Sequence, residues 1–284
     1  MPLFEPRDYY KPFEYPWAYD AYKLMQSAHW LPHESPMADD IGDWHLKLTP
    51  AEREFLTQLF RFFTQADIDV ARGYVEQYLP RFRAPELRMM MGSFVAAEAN
   101  HIDAYSTLME TLGISEGEYK AFHDYKAMRE KHEYMFEREG GRSIADLAVD
   151  IAVFSAFGEG MQLFSSFALL MNFQRRGLMK GMSTIIEWSI RDESIHVENM
   201  IRLFHELIRE HPRIWNDETK KRRKTRKAAE VKRAAKYDLQ TILKIASTIK
   251  EADQPVFEKL LGELTALAKG SRERVLKALN EVFG

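Results

Sequence analysis

The sequence predicts an all-α fold, a bundle of long helices, and three observations carry that prediction. Apolar residues recur at helical spacing over stretches many turns long. Proline, glycine and capping residues mark the ends of those stretches. No run alternates apolar and polar residues for long enough to make a strand.

Residues 1–48 hold Pro2, Pro6, Pro12, Pro16, Pro32 and Pro36 among many aromatics, and read as an irregular arm with one short helix near Ala18–His29. Thr49-Pro50-Ala51-Glu52 is a helix start, a capping threonine followed by proline at the first helical position. Behind it Phe55, Leu59, Phe62, Phe63, Ala66, Val70 and Tyr74 mark a long amphipathic helix that ends near Pro80. A second helix begins after Pro85, carries Met89, Met90, Phe94, Ala97, His101, Tyr105 and Leu108, and stops at Gly113. A connecting helical stretch around Ser115–Glu139 breaks at Gly140-Gly141. The next helix, Ser143 to about Phe173, is apolar almost all round, which places it at the centre of a bundle. The last long helix runs from about Lys180 to Glu210, and Pro212 ends it.

The 284 residues suffice for a large core. Without cysteine there are no disulfides, zinc–thiolate sites or cysteine nucleophiles, and any metal has to be held by carboxylate and histidine. The first residues lack the basic start and apolar core of a signal peptide, and no apolar run reaches the roughly 20 residues of a membrane span. The expectation is a cytoplasmic protein without a membrane partner.

The chemistry lies in a repeat. Glu98-Ala99-Asn100-His101 and Glu193-Ser194-Ile195-His196 each set a carboxylate and an imidazole three residues apart, on one helix face. Each of the four long helices also carries an acid at an apolar position: Asp67, Glu98, Glu159 and Glu193. Glu159 sits in Ala156-Phe157-Gly158-Glu159-Gly160-Met161, inside an otherwise apolar helix. An unpaired buried carboxylate is expensive, and a metal cation neutralises it. Two Glu-x-x-His helices with one carboxylate from each of two others form the ligand set of di-iron and di-manganese bundles. Four carboxylates balance two divalent cations, and the hard oxygens with one imidazole per ion suit iron or manganese alike. Asp69 lies two residues from Asp67 and points elsewhere on the helix; periodicity does not choose between them.

Over roughly residues 15–216 the chain resembles the small, radical-generating subunit of class I ribonucleotide reductase. Phe94-Val95-Ala96-Ala97-Glu98-Ala99-Asn100-His101 followed by Tyr105 resembles the family's Glu-x-x-His-x-x-x-Tyr, and Arg191-Asp192-Glu193-Ser194-Ile195-His196 resembles its Arg-Asp-Glu-x-x-His. The resemblance implies a ferritin-like bundle with a dinuclear iron or manganese centre on Asp67, Glu98, His101, Glu159, Glu193 and His196. The family register favours Asp67 over Asp69. Tyr105, four residues past His101 and seven past Glu98, would become the radical, with Leu163 and Phe167 offering an apolar pocket. Asp192 would orient His101, and Trp30 would relay charge toward the surface. A large catalytic subunit, a homodimer and, for manganese, a flavoprotein activator are the implied partners. The same bundle also serves a second reading, a di-metal oxidase or oxygenase acting on another substrate.

After Asn216 the family pattern is lost. Residues 217–236 carry ten Lys/Arg against three acids, a basic linker or helix that reads as solvated rather than as a nucleic-acid site. Residues 237–284 form a small helical segment with three apolar stripes, and hold Tyr237. The layout is therefore an arm (1–48), a di-metal bundle (49–216), a basic stretch and a helical end.

Overall fold

Helices begin where the chain supplies a capping side chain. Thr49 Oγ1 accepts the Glu52 N–H at 3.3 Å while Glu52 Oε2 accepts the Thr49 N–H at 2.8 Å. Ser143 and Asp146 form the same reciprocal pair, at 3.1 and 3.3 Å. The protein is described here by a computed structural model covering residues 3–120, 143–152, 163–222 and 224–225. Its principal helices are α1 (Pro16–Ser27), α2 (Pro50–Gly73), α3 (Pro85–Thr111), α4 (Ile144–Asp150), α5 (Phe164–Arg175) and α6 (Lys180–Glu210). There is no strand among the described residues, as the periodicity requires. No helix among them is long and apolar enough to cross a membrane.

The N-terminal arm holds more structure than expected. Its helix starts at Pro16, two residues early, because proline is preorganised for the first turn, and ends at Ser27 rather than His29. Short helical turns follow at Pro32–Glu34, Met37–Asp39 and Asp43–Lys47. The arm is tied down by long-range polar contacts. Glu86 on α3, fully buried, accepts the backbone N–H groups of Glu14 and Tyr15 at 2.9 Å each and pairs with Arg7.

The start of α6 is held from the arm too. Met179 sits in the left-handed region, at φ 56°, so the preceding turn cannot continue as helix. Asp40 accepts the N–H groups of Gly181 and Met182 at 2.9 and 2.7 Å, and Asp43 that of Met179 at 2.8 Å. Burial pushes the Asp40 carboxyl up to about 6 despite those N–H donors. Gly181 has no room for a side chain: a Cβ there would lie 2.5 Å from Met37 Cα. Helix α6 is thus set in position by backbone contact, which fixes the residues it carries two turns and more downstream.

Two apolar clusters fill the interior. One joins α1, the first half of α3 and the end of α6 through Tyr74, Met90, Phe94, Leu203 and Phe204. The other joins Trp30, Phe60, Phe63, Tyr105, Phe167 and Ile186. Helix α2 passes into a wider π-type turn at Tyr74–Tyr78 before the chain reverses toward Pro85. Of the expected connecting helix after Ser115, Gly117–Lys120 is seen. Of the long apolar helix expected from Ser143 to about Phe173, the described residues show α4 and α5; residues 153–162, Glu159 among them, lie outside the described residues. So do the helical stripes after residue 225 and Tyr237.

Candidate metal centre

Helices α2, α3 and α6 converge on one buried cluster. Ligand atoms of Asp67, Glu98 and His101 lie within 4.8 Å of one another, and so do those of Glu98, Glu193 and His196. Glu98 belongs to both groups. All five side chains are at most 2% exposed. The structure therefore brings together five of the six expected ligands; the sixth, Glu159, lies outside the described residues. It also separates the two aspartates, since Asp69 accepts a hydrogen bond from Gln65 Nε2 at 3.0 Å and is not part of either group.

The two imidazoles both aim Nδ1 inward. His101 Nδ1 lies 3.6 Å from Glu98 Oε2 and 3.4 Å from Glu193 Oε1; His196 Nδ1 lies 3.1 Å from Glu98 Oε1 and 3.4 Å from Glu193 Oε2. His101 turns Nε2 outward to Asp192 Oδ2, 3.2 Å away. A neutral His101 that donates from Nε2 presents the Nδ1 lone pair to the cluster. Asp192 Oδ2 also accepts the Trp30 Nε1–H at 2.8 Å, and its Oδ1 accepts from Arg191 at 3.2 Å. Arg191 in turn reaches the Ala28 carbonyl. Burial works against the Asp192 charge, but the donors from His101 and Trp30 outweigh it and hold the carboxyl below its usual range.

The electrostatics of the cluster are those of crowded, desolvated carboxylates. Burial, reinforced by the Glu98 charge, pushes Asp67 well above the usual carboxylate range. Burial also opposes the charges of Glu193 and His196, yet neighbours outweigh it: His101 and His196 bring Glu193 down to about 2, and Glu193 with Glu98 raises His196 to about 10. His101 is raised in the same way by Asp192, Glu193 and Glu98 against its burial. Several atoms remain without hydrogen-bond geometry to any partner among the described residues: both Glu98 oxygens, Asp67 Oδ2, Glu193 Oε2 and both His196 nitrogens. Orphaned buried acceptors of this kind, all oxygen or imidazole, fit a pair of divalent cations of the iron or manganese type.

Tyr105 lies one turn beyond His101 and is 1% exposed. Its hydroxyl donates to Ser189 Oγ at 3.2 Å, and its ring stacks on Phe63 at 5.2 Å. Phe63 stacks on Phe167 at 4.9 Å, so the expected pocket residue reaches Tyr105 through a ring that the sequence reading left in the core. Burial, then the charge of Asp67, pushes the phenol far above its ordinary value, so it keeps its proton at any physiological pH. Ser189 and Trp188 were missed as well. Both follow from the α6 register, three and four residues before Asp192 and so about one turn away, but serine and tryptophan there read as ordinary helix positions.

A helical bundle gathering carboxylates and imidazoles from facing helices around one shared glutamate is of the ferritin-like class. A family model described as ribonucleotide reductase, small chain, matches residues 7–267, and the chain belongs to that family. It is 48% identical over 223 residues to a ribonucleoside-diphosphate reductase small subunit of Invertebrate iridescent virus 6, covering 74% of this chain and 62% of that relative. The chain thus spans less than two thirds of that relative's length. Among solved structures, the ribonucleotide reductase R2 subunit from Clostridium botulinum aligns with TM-score 0.74 at 20% identity, over 91% of this chain and 82% of that one. An R2-like ligand-binding oxidase with a Mn/Fe cofactor aligns with TM-score 0.65 at 16% identity, over 95% and 93%.

Proposed function

We propose that this chain acts as the radical-generating small subunit of a class I ribonucleotide reductase. Asp67, Glu98, His101, Glu193 and His196, with Glu159, would hold two iron or manganese ions, and Tyr105 would store the oxidising equivalent. The observation that carries this reading is Glu98, one carboxylate shared by two buried ligand groups, with Tyr105 on the same helix face. Such a metal pair, when bound, would supply a one-electron oxidant beside the phenol. The chain's own residues do the rest. Burial keeps the Tyr105 phenol protonated, so an electron taken from it would have to leave together with the hydroxyl proton. Phe63 and Phe167 exclude water from the ring. Asp192 holds His101 in the tautomer that faces the cluster, and Trp30 continues from Asp192 toward the arm. Turnover of ribonucleotides would take place on a separate large subunit, with a homodimer of this chain as the docking partner and a flavoprotein as activator if the metal is manganese. Residues 49–216 would form the metal bundle, with 217–284 as a basic stretch and helical end.

The test is electron paramagnetic resonance after anaerobic loading with Fe(II) or Mn(II) and exposure to oxidant. The parent is expected to give a tyrosyl signal that Tyr105→Phe removes; an unchanged signal in that variant overturns the assignment. The second reading, a self-contained oxidase, draws on the fold likeness to the R2-like ligand-binding oxidase. Oxygen consumption with a small organic substrate and no large subunit would favour it.

A further inference from the structure

Helix α6 carries four hydroxyl side chains, Ser183, Thr184, Ser189 and Ser194. Three of them donate to the carbonyl four residues back: Ser183 to Met179 at 2.8 Å, Thr184 to Lys180 at 3.0 Å and Ser194 to Ile190 at 2.6 Å. Ser189 makes no such bond among the described residues. Its Oγ instead accepts the Tyr105 hydroxyl at 3.2 Å, across from α3. Ser189 is fully buried, whereas its neighbour Trp188 turns toward the arm, with its ring 5.0 Å from that of Trp30. The cluster around the phenol is apolar, with Phe60, Phe63, Ile185 and Ile186 in it. An isoleucine at 189 would pack this face without the cost of burying a hydroxyl. A serine hydroxyl both donates and accepts, and it turns about the Cβ–Oγ bond to suit its partner. Here it accepts from Tyr105, and its own proton is not committed to the helix backbone.

We propose that Ser189 is a positioning residue that holds the Tyr105 oxygen in both oxidation states by exchanging hydrogen-bond roles with it. The proposal rests on the radical reading of Tyr105 given above. In the resting phenol, Tyr105 donates and Ser189 accepts. Oxidation follows that reading: the Tyr105 O–H bond breaks, one electron passes to the one-electron oxidant, and the proton passes to a carboxylate of the cluster. The oxygen left behind has lone pairs and no proton, so it can only accept. Ser189 keeps its own O–H bond intact and turns it onto that oxygen. It does not take the phenol proton, because a neutral hydroxyl is far too weak a base to hold one. The ring therefore stays in its stack on Phe63 in either state. An apolar residue at 189 would leave the radical oxygen without a donor among the described residues.

The first test reads the metal-loaded, oxidised full chain in D2O by high-field paramagnetic resonance and deuterium double resonance. The parent radical should show an exchangeable deuteron about 1.9 Å from the phenoxyl oxygen, the separation of a hydrogen bond. Ser189→Ala and Ser189→Val should lose that coupling, and their largest g-value should rise. Valine also fills the space a water could take. Loss of the coupling in either folded variant supports the exchange of roles. A parent radical without the coupling, or its retention in every folded variant, overturns it. The second test needs no metal: a double-mutant cycle of Tyr105→Phe and Ser189→Ala, followed by denaturant unfolding. Removing the phenol hydroxyl should shift the unfolding equilibrium about fivefold further when Ser189 is present, the size of one neutral hydrogen bond. Equal shifts in the two backgrounds also overturn the proposal. If the parent forms no Tyr105 radical, the metal-centre reading fails, while the cycle still decides whether the two hydroxyls are bonded.

Discussion

The two Glu-x-x-His copies have the same sequence spacing and opposite surroundings. His101 is wired outward: Nε2 meets Asp192, which holds Trp30 and Arg191, and the Trp30 ring covers the imidazole. His196 is sealed in grease. Phe94 lies 4.3 Å and Tyr74 6.2 Å from its ring, and its Nε2 has no hydrogen-bond partner among the described residues. The halves even face different apolar clusters, with Phe94 in one and Trp30 and Tyr105 in the other. Repetition of a ligand motif thus does not make the halves equivalent. Among the described residues only the His101 half has hydrogen bonds leading out to the arm, while the His196 half meets apolar and aromatic rings.

Glu98 joins the halves, and removing it should have the largest effect. Glu98→Gln is expected to abolish paired metal binding, seen by metal analysis after gel filtration, because both ligand groups lose a member. Retention of both ions would separate the groups into unrelated clusters. Phe94→Ala comes next. It opens a cavity beside His196 and should cost about 3–5 kcal/mol of stability in denaturant unfolding. Tyr105, in the other apolar cluster, should still give its radical signal in whatever fraction folds.

Asp192→Asn tests the wired half. Loss of the residue that orients a ligand imidazole should weaken metal binding by about 10–100-fold, measured by competition with a chelator. The loss should fall on one ion, since His196 has no counterpart to Asp192 among the described residues.

The smallest effect expected is on pH dependence in the metal-free chain. His196 is raised from 6.5 to about 10, so its contribution to stability is complete below pH 6.5 and fades as pH climbs toward 10. Glu193 is lowered from 4.5 to about 2, so its contribution is complete above pH 4.5 and fades as pH falls toward 2. Asp67, raised by burial, partly offsets the acid-side loss. Unfolding curves with chelator present should show the alkaline loss clearly, and His196→Gln should reduce it, leaving the share of His101, which is raised in the same way. Metal binding runs the other way: the imidazole protons have to leave, so affinity should rise with pH through the neutral range.

Much of this was legible in the sequence because it is local. Thr49-Pro50, Pro85 and Gly113, and Lys180 to Pro212 bound helices by capping and by the limits of proline, and the structure follows them closely. The buried cluster was legible because Glu-x-x-His spacing and an acid on an apolar helix face bring carboxylates and imidazoles together inside a bundle. What escaped depends on contacts between distant segments. Nothing near Glu86 announces that it collects the arm's N–H groups across more than 70 residues. Asp40 and Asp43 cap a helix about 140 residues away, where local signals were absent. Trp188, Ser189 and Phe63 sit at helix positions that packing would fill anyway, and only their partners, Trp30 and Tyr105, give them meaning.

The most direct test of the shared-carboxylate centre is a Mn(II) titration of the intact chain, followed by native mass spectrometry and paramagnetic resonance. Two ions per chain should bind, and the spectrum of an isolated Mn(II) should collapse as the second ion enters, because two ions sharing Glu98 would lie close enough to couple magnetically. Saturation at one ion, or two ions that each keep an isolated spectrum, would contradict the account.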